Sequence, residues 1–405
     1  MAIELSINNT ASARGRYVTW APSPCILRAT PPFTPPLPAT LRVRNRPGTG
    51  IRVAFRRTAT SAPQSSLTLT LSPGAAAVSF FVSGVFPRAS TADGDVAIQV
   101  LSGAAVLLDV RLMVRIRKNA NRLTPQERDR FLAALAALNN RGAGRFLDFR
   151  NMHTEAGSPE AHGAPGFLPW HRAYLLDLER ELQAIDSSVS LPYWRFDQPA
   201  PNLFTPEFMG TSDRLGTVGF SAMNPLQFWR TDGVPGINRR PRFDTRSQAA
   251  LVINEAATLA LGTNYSAFRS MEGNPHGFAH TSFGGFISSI PTAARDPLFF
   301  LLHANVDRLW AKWQRTNNRF NPGQLAAFAP ATGSRVGHNV DDTMWPWNGV
   351  TTAPRPSTAP GGALAPSPTA VAPGGSPRVR DCLDYQGRLA SASRMGFDYD
   401  DVNYL

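Results

Sequence analysis

Two lysines, Lys118 and Lys312, stand among 41 basic residues, and two cysteines, Cys25 and Cys382, stand among 405 residues. With no CxxC pair, a zinc ribbon and a thioredoxin-like redox centre are both excluded. The two thiols lie too far apart in sequence for a disulfide to be inferred or denied. No window reaches eighteen consecutive apolar residues, so no helix spanning a membrane is expected. The opening MAIELSINNTASARGRY lacks an apolar core of the signal-peptide kind. The expected location is therefore cytoplasmic, with secretion or periplasmic export on a partner as the alternative. The formal charge is +12, yet the arginines are scattered and no dense basic stripe exists beyond Arg111 to Arg122. That distribution points to neither nucleic acid nor a membrane surface as partner.

What is present divides the chain in two. Residues 1–114 alternate apolar and polar positions in short runs, such as TLRVRN, SLTLTL, AVSFFVSG and DVAIQVLSG, separated by Gly/Pro turns. This pattern predicts an all-β, sandwich-like domain. It carries no titratable cluster and reads as a packing module, or as a cover for a site elsewhere. Residues 115–405 form the second expected domain, mainly α with many irregular loops. Thr124, Pro125 and Glu127 make a capping-box start for one helix. Ser247 to Leu261 reads as another. Phe146 and Phe149 read as core. The stretch at about 349–380 is dominated by Pro, Ala, Gly and Ser and reads as a flexible loop.

Six of the seven histidines fall into two groups of three. His153 ends a helical run, His162 lies in a Gly/Pro-rich loop, and His171 opens a helix. His276 and His280 are four apart, hence one turn apart on a helix face. His303 follows inside an apolar run whose start is signalled by Asp296 and Pro297. His338 stands alone and reads as a surface or structural residue rather than a metal ligand. Three imidazoles suit Zn, Cu, Fe or Ni. The helical pair reads HGFAH, without the Glu of the HExxH zinc signature. No carboxylate accompanies it as iron oxygenases require. Two all-histidine sites fit a coupled pair of coppers.

These residues resemble the type-3 copper family of tyrosinases, catechol oxidases (polyphenol oxidases) and haemocyanins. The matching features are the eight residues between His162 and His171, the HxxxH pair, and a run containing Asp296, Pro297, Phe299, His303, Asp307, Arg308 and Trp310. RKNANRLTPQERDRF from Arg117, LPYW at Leu191 to Trp194, and TMWPW at Thr343 to Trp347 also match. The resemblance covers about residues 115–405 and implies a four-helix bundle holding a dinuclear copper site. One copper would sit on His153, His162 and His171 and the other on His276, His280 and His303, with O2 as co-substrate. The family's thioether to the second histidine is excluded, because Glu160 stands where its Cys would. The chain also stops before the C-terminal plug domain that some members carry, so activity without proteolysis is expected.

The implied function is oxidation of o-diphenols to o-quinones, with ortho-hydroxylation of monophenols as a further capability. The alternatives are a biosynthetic oxidase of o-aminophenols or natural-product phenols and a haemocyanin-like O2 carrier. Partners would be a small phenol and O2, with a copper-loading protein left open. By resemblance, Glu272 helps hold a water near the incoming phenol, with capping a turn as its competing role. Gly277 replaces the Asn that orients that water in strong monophenolases, which favours diphenol oxidation. Ile287 and Ile290 overhang the entrance. Asp307, one turn after His303, is the expected carboxylate behind an imidazole, with a salt bridge to arginine as the competing role.

Overall fold

The computed structural model describes residues 2–30, 37–50, 52–73, 76–154, 158–331, 333 and 335–404. Alternation in the first hundred residues becomes nine strands: β1 (Ala2–Ile7), β2 (Tyr17–Val18), β3 (Ser23–Thr30), β4 (Ala39–Asn45), β5 (Val53–Arg56), β6 (Ser66–Leu71), β7 (Ala77–Gly84), β8 (Val96–Ser102) and β9 (Ala105–Val114). They form a four-stranded sheet, β1-β3-β7-β5, and a five-stranded sheet, β2-β9-β8-β4-β6. On β4, Ala39, Leu41 and Val43 point inward while Thr40 and Arg42 face solvent, as period-two patterning requires. Inward residues of both sheets, among them Leu27, Val43, Phe55, Leu69, Val82 and Ile98, share one core. β4 and β5 flank the Pro-Gly-Thr-Gly turn but belong to different sheets. Gly84 is required where it stands: a Cβ there would lie 2.5 Å from Val114 and 2.8 Å from Trp20.

The first unit also takes in residues from far along the chain. It comprises Met1–Ile116, Ser367–Ala372 and Gln386–Leu405. Trp20 Nε1 donates to the Tyr399 carbonyl at 2.9 Å, Ala21 N to Asp398 at 3.0 Å, and Arg394 to Asn8 at 2.7 Å. Tyr404 joins the sandwich core. Residues 386–405 thus lie outside the domain to which the sequence assigns them. Their polar contacts are with the segments that link the first strands, at Asn8, Trp20 and Ala21.

The second unit, Arg117–Pro366 with Pro373–Tyr385, is built on helices α1 (Pro125–Asn139), α2 (Phe146–Met152), α3 (Ser158–Ala161), α4 (Phe167–Ile185), α5 (Glu255–Leu259), α6 (Tyr265–Phe268), α7 (Phe278–Thr281), α8 (Ile290–Ala293) and α9 (Leu298–Asn317). The α1 capping box forms as expected. α4 is buried without interruption from Phe167 through Arg180, and α9 from Leu298 through Ala311. They pack on each other at the centre. A helix buried all round must pair its charges. Arg117 donates to Glu179 at 2.8 Å and to Asp307 at 3.2 Å. Arg172 donates to the other Asp307 oxygen at 2.6 Å and lies over the Trp310 ring, 3.7 Å from its centroid.

Two expectations are corrected here. Between Ser247 and Leu261 only Glu255–Leu259 is helical, because Ser247 and Gln248 fold back on Asp244 and Asn254 caps the later start. The 349–380 stretch is irregular but held. Leu364, Ala365, Thr369 and Ala370 are buried. The Gly361 carbonyl accepts from Arg145, and the Ala365 carbonyl accepts from Arg180 at 2.9 Å. Such a composition cannot form a core of its own, but its carbonyls accept from the half-buried Arg145 and the buried Arg180.

Candidate metal centre

α2 ends on Met152 and places His153 just beyond its last turn. His162 follows the single turn of α3, and Gly163 reverses the chain at φ +72°, a conformation glycine adopts without strain. The loop is braced at both ends by His338, which is buried. His338 Nδ1 accepts from Gly166 N at 3.1 Å, and its Nε2 lies 3.0 Å from the Pro159 carbonyl. The structural role expected of His338 is the one observed. Glu160 is likewise structural, accepting from Arg355 at 2.6 Å and from Trp345 N at 3.0 Å. His171 sits on the second turn of α4.

The second group departs from a regular helix. His276 lies in a wide turn, Gly273–Gly277, in which Asn274 is extended (φ −138°). α7 then carries His280. The ring centroids of His276 and His280 still come within 4.8 Å. α9 supplies His303 near its start. Asp296 accepts from Leu298 N at 3.0 Å at the entry to α9, whose N-cap position falls one residue later than expected, on Pro297, while Arg239 grips the same carboxylate with two hydrogen bonds of 2.6 and 2.7 Å.

Each group brings three imidazoles together, with one ring nitrogen of every histidine within 4.8 Å of the others of its group. The two groups meet where His171 and His303 stack, with centroids 4.2 Å apart and planes 9° from parallel. Backbone carbonyls hold the Nδ1 side: Ile290 O for His153 at 3.3 Å, Phe167 O for His171 at 2.9 Å, Glu272 O for His276 at 2.7 Å and Ile287 O for His280 at 2.7 Å. A carbonyl can only accept, so Nδ1 carries the proton and Nε2 keeps its lone pair. The Nε2 atoms of His153 and His171 are buried with no hydrogen-bond partner. His303 Nε2 faces those of His276 and His280 at 3.3 and 3.1 Å. Converging neutral lone pairs with no carboxylate among them fit two copper ions.

Electrostatics agrees. Burial, reinforced by neighbouring imidazoles, pushes His153, His171, His276 and His303 well below the usual histidine range. Burial also brings His280 down to about 4. These five donors are neutral near pH 7.

Asp307 does not serve an imidazole. Its two oxygens go to Arg172 and Arg117, and His303 Nδ1 has no hydrogen-bond partner. A carboxylate between two buried guanidinium groups is held by charge, and this outweighs its one-turn spacing from His303.

A cavity of about 270 Å³ opens on the centre, walled by His153, His162, His276, His280, Glu272, Gly277, Thr281 and the Ile287–Ile290 segment. Ile290 is 43% exposed at its edge, whereas Ile287 is fully buried. Both residues expected at the entrance line it, and their carbonyls also anchor His280 and His153. Burial pushes the Glu272 carboxyl upward.

Two phenylalanines clamp the rings crosswise: Phe167, not singled out from sequence, and Phe299, noted there only as part of the matching run. Phe167 on α4 packs on His171 of its own helix and on His276 of the other group, both at 4.8 Å. Phe299 on α9 packs on His303 at 4.3 Å and on His153 at 4.5 Å. Each precedes its histidine by four residues, so the repeated FxxxH of FLPWH and FFLLH was the available signal.

Fold and site together define a helical protein with two adjacent all-histidine metal positions beneath one small cavity. A family model, "Common central domain of tyrosinase", matches residues 143–316. The chain is 35% identical over 268 residues to a tyrosinase of Streptomyces glaucescens, covering 59% of this chain and 94% of that one. It is 33% identical over 270 residues to a tyrosinase of Streptomyces antibioticus, again covering 59% and 94%. A solved polyphenol oxidase from Thermothelomyces thermophila aligns over 70% of this chain and 88% of its own, at 19% identity and a TM-score of 0.48. The chain belongs to the tyrosinase family.

Proposed function

We propose that this protein is a dinuclear copper oxidase of small phenols, with oxidation of o-diphenols to o-quinones as its principal activity. The observation carrying this reading is the cavity, which reaches both histidine groups and opens beside Ile290. A haemocyanin-like carrier would need its centre sealed from phenols. A volume of about 270 Å³ suits a single ring. Helices α2, α4, α7 and α9 supply or adjoin five of the six ligands, which supports a four-helix arrangement around the metals. Among the described residues no helix is long and apolar enough to cross a membrane.

Bound copper supplies the O2 and redox chemistry, in which two catechols and one O2 give two quinones and two waters. The chain's own work is to place the substrate and move its protons. The apolar wall formed by Ile287, with Ile290 at its edge, favours a flat ring. Phe167 and Phe299 hold the imidazoles rigid. A phenolic hydroxyl near pKa 10 must lose its proton on approach, and among the described residues Glu272 is the carboxylate lining the cavity. Gly277 offers no side chain to hold a water beside it. This absence supports diphenol oxidation over strong monophenol hydroxylation.

The test is reconstitution with Cu(II) followed by paired assays on a monophenol and its catechol. Two coppers per chain and faster quinone formation from the catechol are expected. Copper binding without quinone from either phenol would overturn the reading in favour of O2 carriage, and faster turnover of an o-aminophenol would favour a biosynthetic role. Full loading from free Cu(II) would show that no loading partner is required.

A further inference from the structure

We infer that Glu272 is a positioning residue for the first copper site, holding the His162 loop in place through the Gly163 amide. The inference rests on the assignment of the two histidine groups to two coppers. His162 follows a four-residue helix and rides on a loop. That loop is fixed at Pro159 and Gly166 by His338. Between these points Gly163 N donates to Glu272 Oε1 at 2.5 Å. The other Glu272 oxygen is held by Arg269 at 3.3 Å, which keeps the carboxylate aimed across the cavity. The same residue's carbonyl accepts from His276 Nδ1 at 2.7 Å. Glu272 therefore touches the supports of both metal positions, one through its side chain and one through its backbone.

This role differs from accepting a substrate proton. Receiving an amide hydrogen bond needs only an oxygen at the right reach, which glutamine retains. Accepting a proton needs the carboxylate. Glu272→Gln, Glu272→Ala and Glu272→Asp separate the two, since the aspartate keeps the charge but is one methylene short of Gly163. Each variant and the wild type are loaded with Cu(II) and dialysed against graded chelator, and copper per chain is measured. The wild type should hold two coppers; fewer would defeat the two-copper reading itself, whatever Glu272 does. In Glu272→Ala and Glu272→Asp one copper should leave at roughly 10- to 100-fold lower chelator, the range for loss of a ligand's supporting hydrogen bond. Glu272→Gln should hold both within about threefold of wild type on the same scale. Hydrogen exchange of the copper-free proteins gives a second readout: the 158–166 peptide should exchange faster in the Ala and Asp variants and at the wild-type rate in the Gln variant. Equal copper retention in all four proteins, or equal loss in the Gln and Ala variants, would overturn the inference.

Discussion

Replacing Asp307 by asparagine should destabilise the helical unit severely while sparing its copper. Asp307 is 2% exposed, and the two guanidinium groups it receives, Arg117 and Arg172, are fully buried. In Asp307→Asn the shape is kept, but Arg172 loses the carboxylate it pairs with, and Arg117 keeps its ion pair with Glu179. Removing one partner of a buried ion pair typically costs about 3–5 kcal/mol. For a unit of this size, each kcal/mol moves the melting point by about 2–4 °C, so a fall of roughly 6–20 °C is expected. The assay is denaturant unfolding of the copper-free protein, because bound metal would itself raise apparent stability. The folded variant, reloaded, should still bind two coppers. If Asp307 instead oriented His303, copper content would fall first and stability little. A loss below about 1 kcal/mol, the range of an exposed pair, would refute the network as described.

Gly277→Asn should raise the ratio of monophenol to diphenol turnover. A Cβ there meets only the Glu272 carbonyl, at 3.4 Å, and general-base help is worth about a hundredfold when complete. An unchanged ratio at full copper loading would move attention to Ile287 and Ile290. Asp177 is lifted to about 6 by burial, against hydrogen bonds from Ala365 N and Trp347. Its folded pKa exceeds its unfolded one, so the folded state binds the proton more readily and stability falls as pH rises from about 4 through 6. Relative to Asp177→Asn, the wild type should therefore gain stability on going from pH 8 to pH 4; a difference flat across that range would refute the assignment. Arg180→Ala should expose the 361–373 segment to limited proteolysis, since Arg180 holds both the Ala365 and Pro373 carbonyls. Equal cleavage in the wild type would show that the segment is loose after all.

By itself the sequence determined whatever depends on local spacing. The β alternation, the α1 capping box, the helix start at Asp296 and the two histidine groups are all written at periods of two or near four residues. A reader of the chain can count such periods. Tertiary structure decided the partners of groups that many residues could satisfy. Backbone carbonyls hold four of the imidazoles, and a carbonyl belongs to every residue, so no pattern marks Ile287 or Ile290 for that work. Asp307 had a histidine one turn away and arginines throughout the chain; burial of Arg117 and Arg172 beside it settled the choice. Glu272 reaches Gly163 across 109 positions. The Pro-rich stretch and the last twenty residues carry few periodic apolar positions, yet both find their place because buried donors elsewhere need the acceptors they offer. Local pattern names the ligands, and long-range satisfaction of buried polar groups fixes what holds them.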